Sequence, residues 1–186
     1  MPGIGGRGCL LSQGQAFKDE PPMKTALITL MASLAFAAAA AGAQQQMTPE
    51  QFVARASEAG AAEVALGKVA AQKGSTAEVR AYGQRMVTDH SRSGVELEQL
   101  AGRKGLPVTK VPNAANASLL EDLSGRSGKD FDAAYAKQMV KDHDAAVALF
   151  TSASTLSDQE LAAFASRTLP VLREHQQQAG HLDGKH

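Results

Sequence analysis

Apolar residues recur at intervals of three and four along four long segments of the chain, with polar residues between them. This period places the apolar side chains on one face of an α-helix, so each segment is predicted to form an amphipathic helix. The first segment opens with Thr48-Pro49-Glu50-Gln51, which offers an N-cap hydroxyl, a proline in the first turn and a glutamine three residues after the cap. The predicted helices cover residues 49–73, 76–104, 130–155 and 158–182.

Connections between these helices are of two kinds. Gly74 with the capping box Ser75-Thr76-Ala77-Glu78, and the capping box Ser157-Asp158-Gln159-Glu160, mark very short turns, which predict antiparallel helix pairs. Prolines, asparagines and glycines instead break the periodicity over residues 105–128, where a short helix at 117–123 is expected. A connection of this length can travel from one end of a helical bundle to the other.

These features predict an all-α domain, a four-helix bundle with a long connection between its second and third helices. The long connection favours a crossover, in which the second and third helices run parallel. A simple up-down-up-down bundle is the alternative on the sequence alone, because a motif near the middle of a helix lies near mid-bundle in both arrangements.

The N-terminal residues follow a different pattern, typical of a secretory signal peptide. Met23-Lys24 begins a short basic region, an apolar run follows at 25–40, and Ala41-Gly42-Ala43 is an A-x-A cleavage motif. We therefore expect translation to start at Met23 and cleavage before Gln44. An uncleaved membrane anchor is the alternative, although the run is short for a span. The expected domains are 1–43, a spurious leader plus the signal peptide, and 44–186, a single helical bundle.

Composition narrows the class of protein. The 186 residues carry a formal net charge of +0, with 44% hydrophobic and 4% aromatic residues and no Trp, which suits a helix-rich globular domain. Balanced charge without a basic run or interleaved aromatics argues against a nucleic-acid partner. The single cysteine, Cys9, precedes the predicted cleavage site, so the expected mature chain has no thiol and fits a bacterial periplasmic protein without disulfides. No stable membrane span is expected once the signal is removed.

One segment of the chain occurs twice. Residues 81–90, AYGQRMVTDH, return as residues 134–143, AYAKQMVKDH, with Ala, Tyr, Met, Val, Asp and His at matching places. The chain contains 2 tyrosines, one in each copy, so chance similarity between alanine-rich helices is a poor explanation and we interpret the pair as an internal duplication. Met and His four residues apart lie on one side of a helix, so each copy offers an imidazole with a thioether one turn before it.

One ionisable residue interrupts the apolar stripe of each predicted helix: Glu63, His90, His143 and His175. The rise of an α-helix places them at comparable heights in the bundle, so they can meet in one layer. Burying a carboxyl and several imidazoles is unfavourable unless the groups pair with each other or bind something. A metal or proton-active site is therefore one interpretation, and a purely structural polar layer with satisfied hydrogen bonds is the other.

Further polar and sulfur-containing side chains flank these positions. Met86 and Met139 lie one turn before a histidine and are either core filling or auxiliary ligands. Asp89 and Asp142 each precede a histidine and are rotated from it by about 100° around the helix, which favours contact with a neighbouring helix or imidazole over direct coordination. The tyrosines are expected to pack near the site with their hydroxyls hydrogen-bonded.

Taken together, the motifs resemble the bacterial exported family called domain of unknown function 4142. They are Met86-Val-x-Asp-His90 and its copy at 139–143, Gly128-x-Asp-Phe-Asp-x-x-Tyr135, Leu169-Pro-x-Leu-x-x-His175, and Glu63 with Leu66-Gly-Lys-x-Ala70. The resemblance covers about residues 48–182 and implies a ferritin-like four-helix bundle. It implies no particular chemistry.

The carboxylate pattern bears on which metal the residues suit. Di-iron proteins of the ferritin-like class place Glu-x-x-His on two helices, whereas Val87, Val140 and Leu172 stand three residues before the histidines here. A di-iron site is therefore not expected, and a mononuclear copper or zinc ion held by the carboxyl and the imidazoles of the layer suits the residues better. The alternative function is a non-enzymatic envelope or stress-related structural or interaction protein. An enzymatic role is not favoured, because the chain offers no Ser/His/Asp set, nucleophilic Cys or phosphate loop.

Overall fold

The structure, a computed structural model, describes residues 47–184, and the predicted leader and signal peptide lie outside the described residues. Within that range the chain forms five α-helices and no strand: α1 Pro49–Lys73, α2 Ala77–Arg103, α3 Ala114–Gly125, α4 Gly128–Ala153 and α5 Gln159–Asp183. The all-α prediction is confirmed, and the long helices are those expected from the periodicity. No helix among residues 47–184 is long and apolar enough to cross a membrane.

Local capping explains where the long helices begin. At α1 the amide of Gln51 donates to the Thr48 hydroxyl (3.2 Å) and the amide of Thr48 donates to the Gln51 side chain (3.1 Å), which is the predicted capping box. The boxes predicted for the second and last long helices are wrong by one residue. Thr76 caps α2 and Asp158 caps α5, each by accepting hydrogen bonds from backbone amides two or three residues further on.

A buried carboxylate on α4 accounts for the shifted cap of α2. Asp132 accepts hydrogen bonds from the amide of Ser75 (2.9 Å), from the hydroxyl of Ser75 (2.5 Å) and from the amide of Thr76 (3.1 Å). Because Ser75 is held by Asp132, Thr76 takes the capping position. The same contact ties the N-terminal part of α4 to the turn between α1 and α2.

Two hydrophobic clusters, one towards each end of the bundle, establish how the helices run. The first joins the N-terminal halves of α1 and α5 to the C-terminal ends of α2 and α4, and it includes Phe52, Leu97, Phe150 and Phe164. The second joins the C-terminal halves of α1 and α5 to the N-terminal halves of α2 and α4, and it includes Leu66, Met86, Tyr135 and Ala179. Corresponding halves of α2 and α4 share a cluster, so these helices run parallel and the crossover arrangement is confirmed.

The connection between α2 and α4 runs along the bundle from the first cluster to the second. Leu106, near its start, packs against the first cluster, whereas Leu119 and Leu123 on α3 pack in or against the second. Asn113 caps α3, so this helix is longer than the one expected at 117–123. The crossover places the two copies of the duplicated segment at the same end of the bundle.

Candidate metal site

The histidines of the predicted layer converge at mid-bundle. The ring centroids of His90 on α2, His143 on α4 and His175 on α5 lie 5.7 Å (His90 to His143), 5.5 Å (His90 to His175) and 5.4 Å (His143 to His175) apart. One ring nitrogen of each lies within 4.8 Å of a nitrogen on each of the others. The parallel course of α2 and α4 brings the histidines of the duplicated segment together, and α5, which packs beside both helices, adds the third.

Hydrogen bonds to two of the rings define where their lone pairs lie. His143 Nδ1 lies 2.9 Å from the backbone carbonyl oxygen of Met139, and because a carbonyl only accepts, Nδ1 carries the proton. His175 Nε2 lies 3.0 Å from Asp89 Oδ2 and donates to that carboxylate. The lone pairs are therefore on His143 Nε2 and His175 Nδ1. Both of these nitrogens, together with His90 Nε2, are buried and have no hydrogen-bond partner among residues 47–184.

Burial keeps the imidazoles neutral. It lowers the pKa of His90 to about 3, and repulsion from the other rings adds to the shift. It lowers the pKa of His143 to about 4, although the hydrogen bond to Met139 opposes the shift. The pKa of His175 is also lowered by burial, against the opposing hydrogen bond to Asp89. Neutral imidazole is the form that binds a metal ion.

Asp89 stays ionised beside His175. Burial alone would raise its pKa, but hydrogen bonds from His175 and Arg85 outweigh burial and lower it. Arg85 Nε lies 3.3 Å from Asp89 Oδ2, and Arg85 Nη2 lies 2.6 Å from Glu174 Oε2. The expected contact of Asp89 with an imidazole of another helix is therefore present. Sequence reasoning missed Arg85, for which the available signal was its position four residues before Asp89 on one helix.

Glu63, the remaining residue of the predicted layer, is buried but stands apart from the converging rings. It is 5% exposed, and its Oε2 has no hydrogen-bond partner. No carboxylate oxygen joins the group of ligand atoms within 4.8 Å of one another in the described part of the chain. Burial, followed by the nearby charge of Asp142, raises the pKa of Glu63 well above its usual value and favours the protonated form. The predicted set of ligands is thus reduced to the imidazoles in this geometry.

The other auxiliary candidates have different surroundings. Met86 and Met139 are fully buried and pack within the second hydrophobic cluster, and Met139 meets the site through its backbone carbonyl. Asp142 accepts a hydrogen bond from the side-chain amide of Gln138 (2.8 Å), and burial raises its pKa. Asp142 is outside the converging group.

Comparison with known proteins identifies the family. The family model described as Domain of unknown function (DUF4142) matches residues 34–182. The chain belongs to this DUF4142 family. The crystal structure of a DUF305 fragment from Deinococcus radiodurans has a similar fold, with a TM-score of 0.66 at 17% identity over 75% of this chain and 99% of that chain, a likeness that concerns the fold alone. No curated protein matches the chain.

Of the two tyrosines of the duplicated segments in this DUF4142 protein, Tyr82 contacts the histidines, and the ring centroid of Tyr135 lies 6.1 Å from that of Tyr82. Tyr82 donates its hydroxyl to the backbone carbonyl of His175 (3.1 Å), and its ring centroid lies 6.4 Å from those of His143 and His175. Tyr135 stacks on Phe131, with ring centroids 5.8 Å apart, and its buried hydroxyl has no hydrogen-bond partner. The expectation of hydrogen-bonded hydroxyls is therefore correct for Tyr82 and wrong for Tyr135.

A chamber of about 1070 Å³ adjoins the histidines of the DUF4142 bundle. Its walls come from the long helices and from the connection, and the α1 run Ala59-Gly60-Ala61-Ala62 lines one side with side chains too small to fill the space. The three histidines and Glu63 also line it. The histidines and Glu63 therefore line a space into which a ligand fits, while their unpartnered atoms are themselves buried.

Proposed function

We propose that this protein binds one Zn²⁺ or Cu²⁺ ion through His90 Nε2, His143 Nε2 and His175 Nδ1. The observation that carries the proposal is the convergence of three histidines, each of which has one buried ring nitrogen without a hydrogen-bond partner in residues 47–184. A buried polar group left without a partner is rare and is unfavourable by roughly 1–3 kcal/mol. A bound ion accepts all of these lone pairs at once, so it removes several such penalties together.

The geometry is compatible with imidazole coordination. A zinc-bound imidazole nitrogen lies about 2.0–2.1 Å from the ion, so nitrogens at two corners of a tetrahedral site are about 3.3 Å apart. One ring nitrogen of each histidine lies within 4.8 Å of one on each of the others, and small ring rotations would close that difference. The hydrogen bonds to Met139 and Asp89 hold the tautomers that direct His143 Nε2 and His175 Nδ1 to the ion.

The donor set also bears on the identity of the ion. Imidazoles suit zinc and copper, and Cu²⁺ has the higher intrinsic affinity for such ligands. A di-iron centre requires carboxylates on several helices. No carboxylate belongs to the converging group in residues 47–184, so the donor set argues against iron.

A structural polar layer is the second candidate function. The observation favouring it is the set of bonds that already join α2 to α5, namely the Asp89 contact with His175 Nε2 and the Tyr82 hydroxyl bond to the His175 carbonyl. Such a layer would hold the helices in register without any ion, and an apolar replacement of a histidine would then be neutral or even stabilising. In that case the protein is a non-enzymatic envelope or stress-related structural or interaction protein.

Metal titration distinguishes the two candidates. Zn²⁺ and Cu²⁺ are titrated separately into untagged wild-type protein, His143→Leu and the matched control His181→Leu, whose histidine is exposed on the same helix as His175. Calorimetry gives the affinity, and the melting temperature reports stabilisation. Wild type and His181→Leu should be stabilised by about 2.7 kcal/mol when free metal reaches about 100 times Kd, and His143→Leu should lose most of this gain.

Two outcomes of the titration distinguish the metal site from the structural layer. Equal metal responses from wild type and His143→Leu would rule out the metal site. The structural layer would then be supported if His143→Leu were also as stable as wild type without metal.

We further propose that the protein works in the bacterial periplasm after removal of a signal peptide. The basic region at Met23-Lys24, the apolar run and the A-x-A motif before Gln44 support export. The lack of any Cys after Cys9 is consistent with an exported chain that depends on its hydrophobic core rather than on disulfides.

A further inference from the structure

The chamber beside the histidines has room for an organic ligand as well as an ion. Its volume of about 1070 Å³ is slightly above the range of about 300–1,000 Å³ that is usual for ligand pockets. Ala59 and Ala62 on α1, Ala146 and Leu149 on α4, and Val171 on α5 give it largely apolar walls. Such walls favour a ligand with an apolar body.

The histidines also line the chamber, and an ion held by the three of them would keep one position open for another ligand. Three protein ligands plus one exchangeable position is the arrangement of zinc sites that accept outside ligands. Neutral imidazoles contribute no negative charge, and Asp89, hydrogen-bonded to His175, offsets only part of the charge of a divalent ion. Glu63 and Asp142 line the chamber but lie outside the converging group, so neither carboxylate is a ligand of the ion in this geometry. The remaining positive charge therefore favours an anion in the open position.

Exposed side chains at the rim add positive charge. Arg55 and Lys68 on α1 and Arg92 on α2 line the chamber, and among residues 47–184 none of them has an ion-pair or hydrogen-bond partner. The other basic side chains of the rim, Lys110 and Arg167, are paired with glutamates. Unpaired cations around an apolar cleft raise the local concentration of anions.

We propose that the chamber admits a small carboxylate with an apolar body, whose carboxylate group takes the open position of the ion bound by the histidines while the body packs against the alanine walls. The inference rests on the proposed metal site. It assigns to that site an outside ligand, which a closed structural metal site would not take.

Benzoate titration of the Cu²⁺-loaded protein tests the inference. Visible absorption and electron paramagnetic resonance report the ligands of the copper ion. Benzoate should shift both spectra, with half-saturation at a concentration roughly tenfold below that of acetate, because only benzoate transfers a phenyl ring from water to the apolar walls. Benzamide, which has the same shape without the charge, should leave the spectra unchanged.

Two glycines provide a matched pair of variants. A Cβ added at Gly60 or at Gly102 meets no atom within 4 Å, so a larger side chain has room at either position. Gly60 lines the chamber and Gly102 does not. Gly60→Phe should therefore keep its Cu²⁺ affinity and lose the benzoate response, whereas Gly102→Phe should respond as wild type does. Circular dichroism checks the fold of both, and Gly60→Leu replaces Gly60→Phe if the larger side chain prevents folding.

The outcomes separate this inference from the proposed function. Failure of wild type to bind Cu²⁺ overturns both. Binding of Cu²⁺ without a benzoate response, or with benzoate no better than acetate, overturns the carboxylate site alone. A benzoate response that appears only in Glu63→Gln would mean that Glu63 closes the fourth position in the wild-type protein, and this result also overturns the inference.

Discussion

At the scale of single residues, the histidines of the site differ in the hydrogen bonds that orient their rings. His143 is anchored by a backbone carbonyl of its own helix, so helix geometry alone sets its tautomer. His175 is anchored across the bundle by Asp89, whose ionisation depends in turn on Arg85. His90 Nε2 has no hydrogen-bond partner within the described part of the chain. All of these rings are kept neutral by burial, and burial also couples them to the stability of the fold.

The metal-free protein should lose stability as the pH falls from about 6.5 towards about 4. A histidine in the unfolded chain has a pKa of about 6.5, whereas burial lowers the pKa of His143 to about 4 and that of His90 to about 3 in the fold. Over this window the unfolded chain therefore binds more protons, and acid favours unfolding. Urea denaturation in the presence of EDTA, at about pH 7 and about pH 5, measures the change.

Variants measure how much His143 contributes to this pH dependence of the stability. His143→Leu should lose less stability between the two pH values than wild type, and His181→Leu should behave as wild type does. Glu63 acts in the opposite direction, because its raised pKa makes its contribution to stability fall as the pH rises above about 4.5. It is present in all of these proteins, as are His90 and Asp89, so the difference between variants reports on His143. Equal pH dependence in wild type and His143→Leu would contradict the prediction.

At the scale of secondary-structure elements, α1 and α2 approach more closely than side chains permit. A Cβ on Gly83 would lie 2.7 Å from the backbone nitrogen of Ala71 and 2.7 Å from the carbonyl oxygen of Gly67. A Cβ on Gly67 would in turn lie 2.8 Å from the carbonyl oxygen of Gly83. The atoms in the way belong to the backbone and cannot move aside without moving a helix. The crossing therefore sets the spacing between α1, which carries Glu63, and α2, which carries His90.

Gly83→Ala should destabilise the protein although alanine favours helix. The added methyl forces α1 and α2 apart, and overpacking of this kind costs about 1–3 kcal/mol, against a gain in helix propensity of about 1 kcal/mol. Gly102→Ala is the matched control on the same helix, because its Cβ meets no atom within 4 Å. That variant should gain about 0.5–1 kcal/mol. Chemical denaturation measures the free energy of unfolding of both variants. A gain in stability for Gly83→Ala would show that the contact between α1 and α2 tolerates a side chain.

At the scale of the whole molecule, the hydrophobic core is divided. One cluster occupies each end of the bundle, and the three histidines lie between them. The chamber extends from the histidines along the first cluster, whose Leu97 and Phe150 line it. Burial at the ends stabilises the fold in proportion to the apolar area removed from water. The middle of the bundle can therefore hold unpartnered polar atoms and open space, both of which are unfavourable by themselves, while the fold stays intact.

The proposed export predicts where the mature chain begins. Protein recovered from the periplasm should begin at Gln44, because the A-x-A motif ends at Ala43. The intact mass of untagged protein measures the N-terminus directly. A species that retains residues 25–43 would instead support the uncleaved anchor.

Particular residues show how much of the structure could be predicted from the sequence. The start of α1 at Thr48 is predictable because both partners of its capping box lie within four residues. The start of α2 is not, because Asp132, more than fifty residues away, holds Ser75 and leaves the cap to Thr76. The convergence of His90 and His143 could be anticipated from the duplicated segment and the length of the connection. Their convergence required only that two parallel helices carry the same motif at the same height.

The sequence by itself determined the long helices and the family and favoured the crossover, because apolar periodicity and the length of a connection are local properties that survive uncertainty in packing. Only the tertiary structure decided that Glu63 stands outside the group of imidazoles, that Tyr135 lacks a hydrogen-bond partner, and which nitrogen of each anchored ring is free. It alone also revealed the chamber along the alanine run of α1. These features depend on distances of a few ångströms between side chains of different helices. Helix packing sets those distances, and no interval along the chain encodes them.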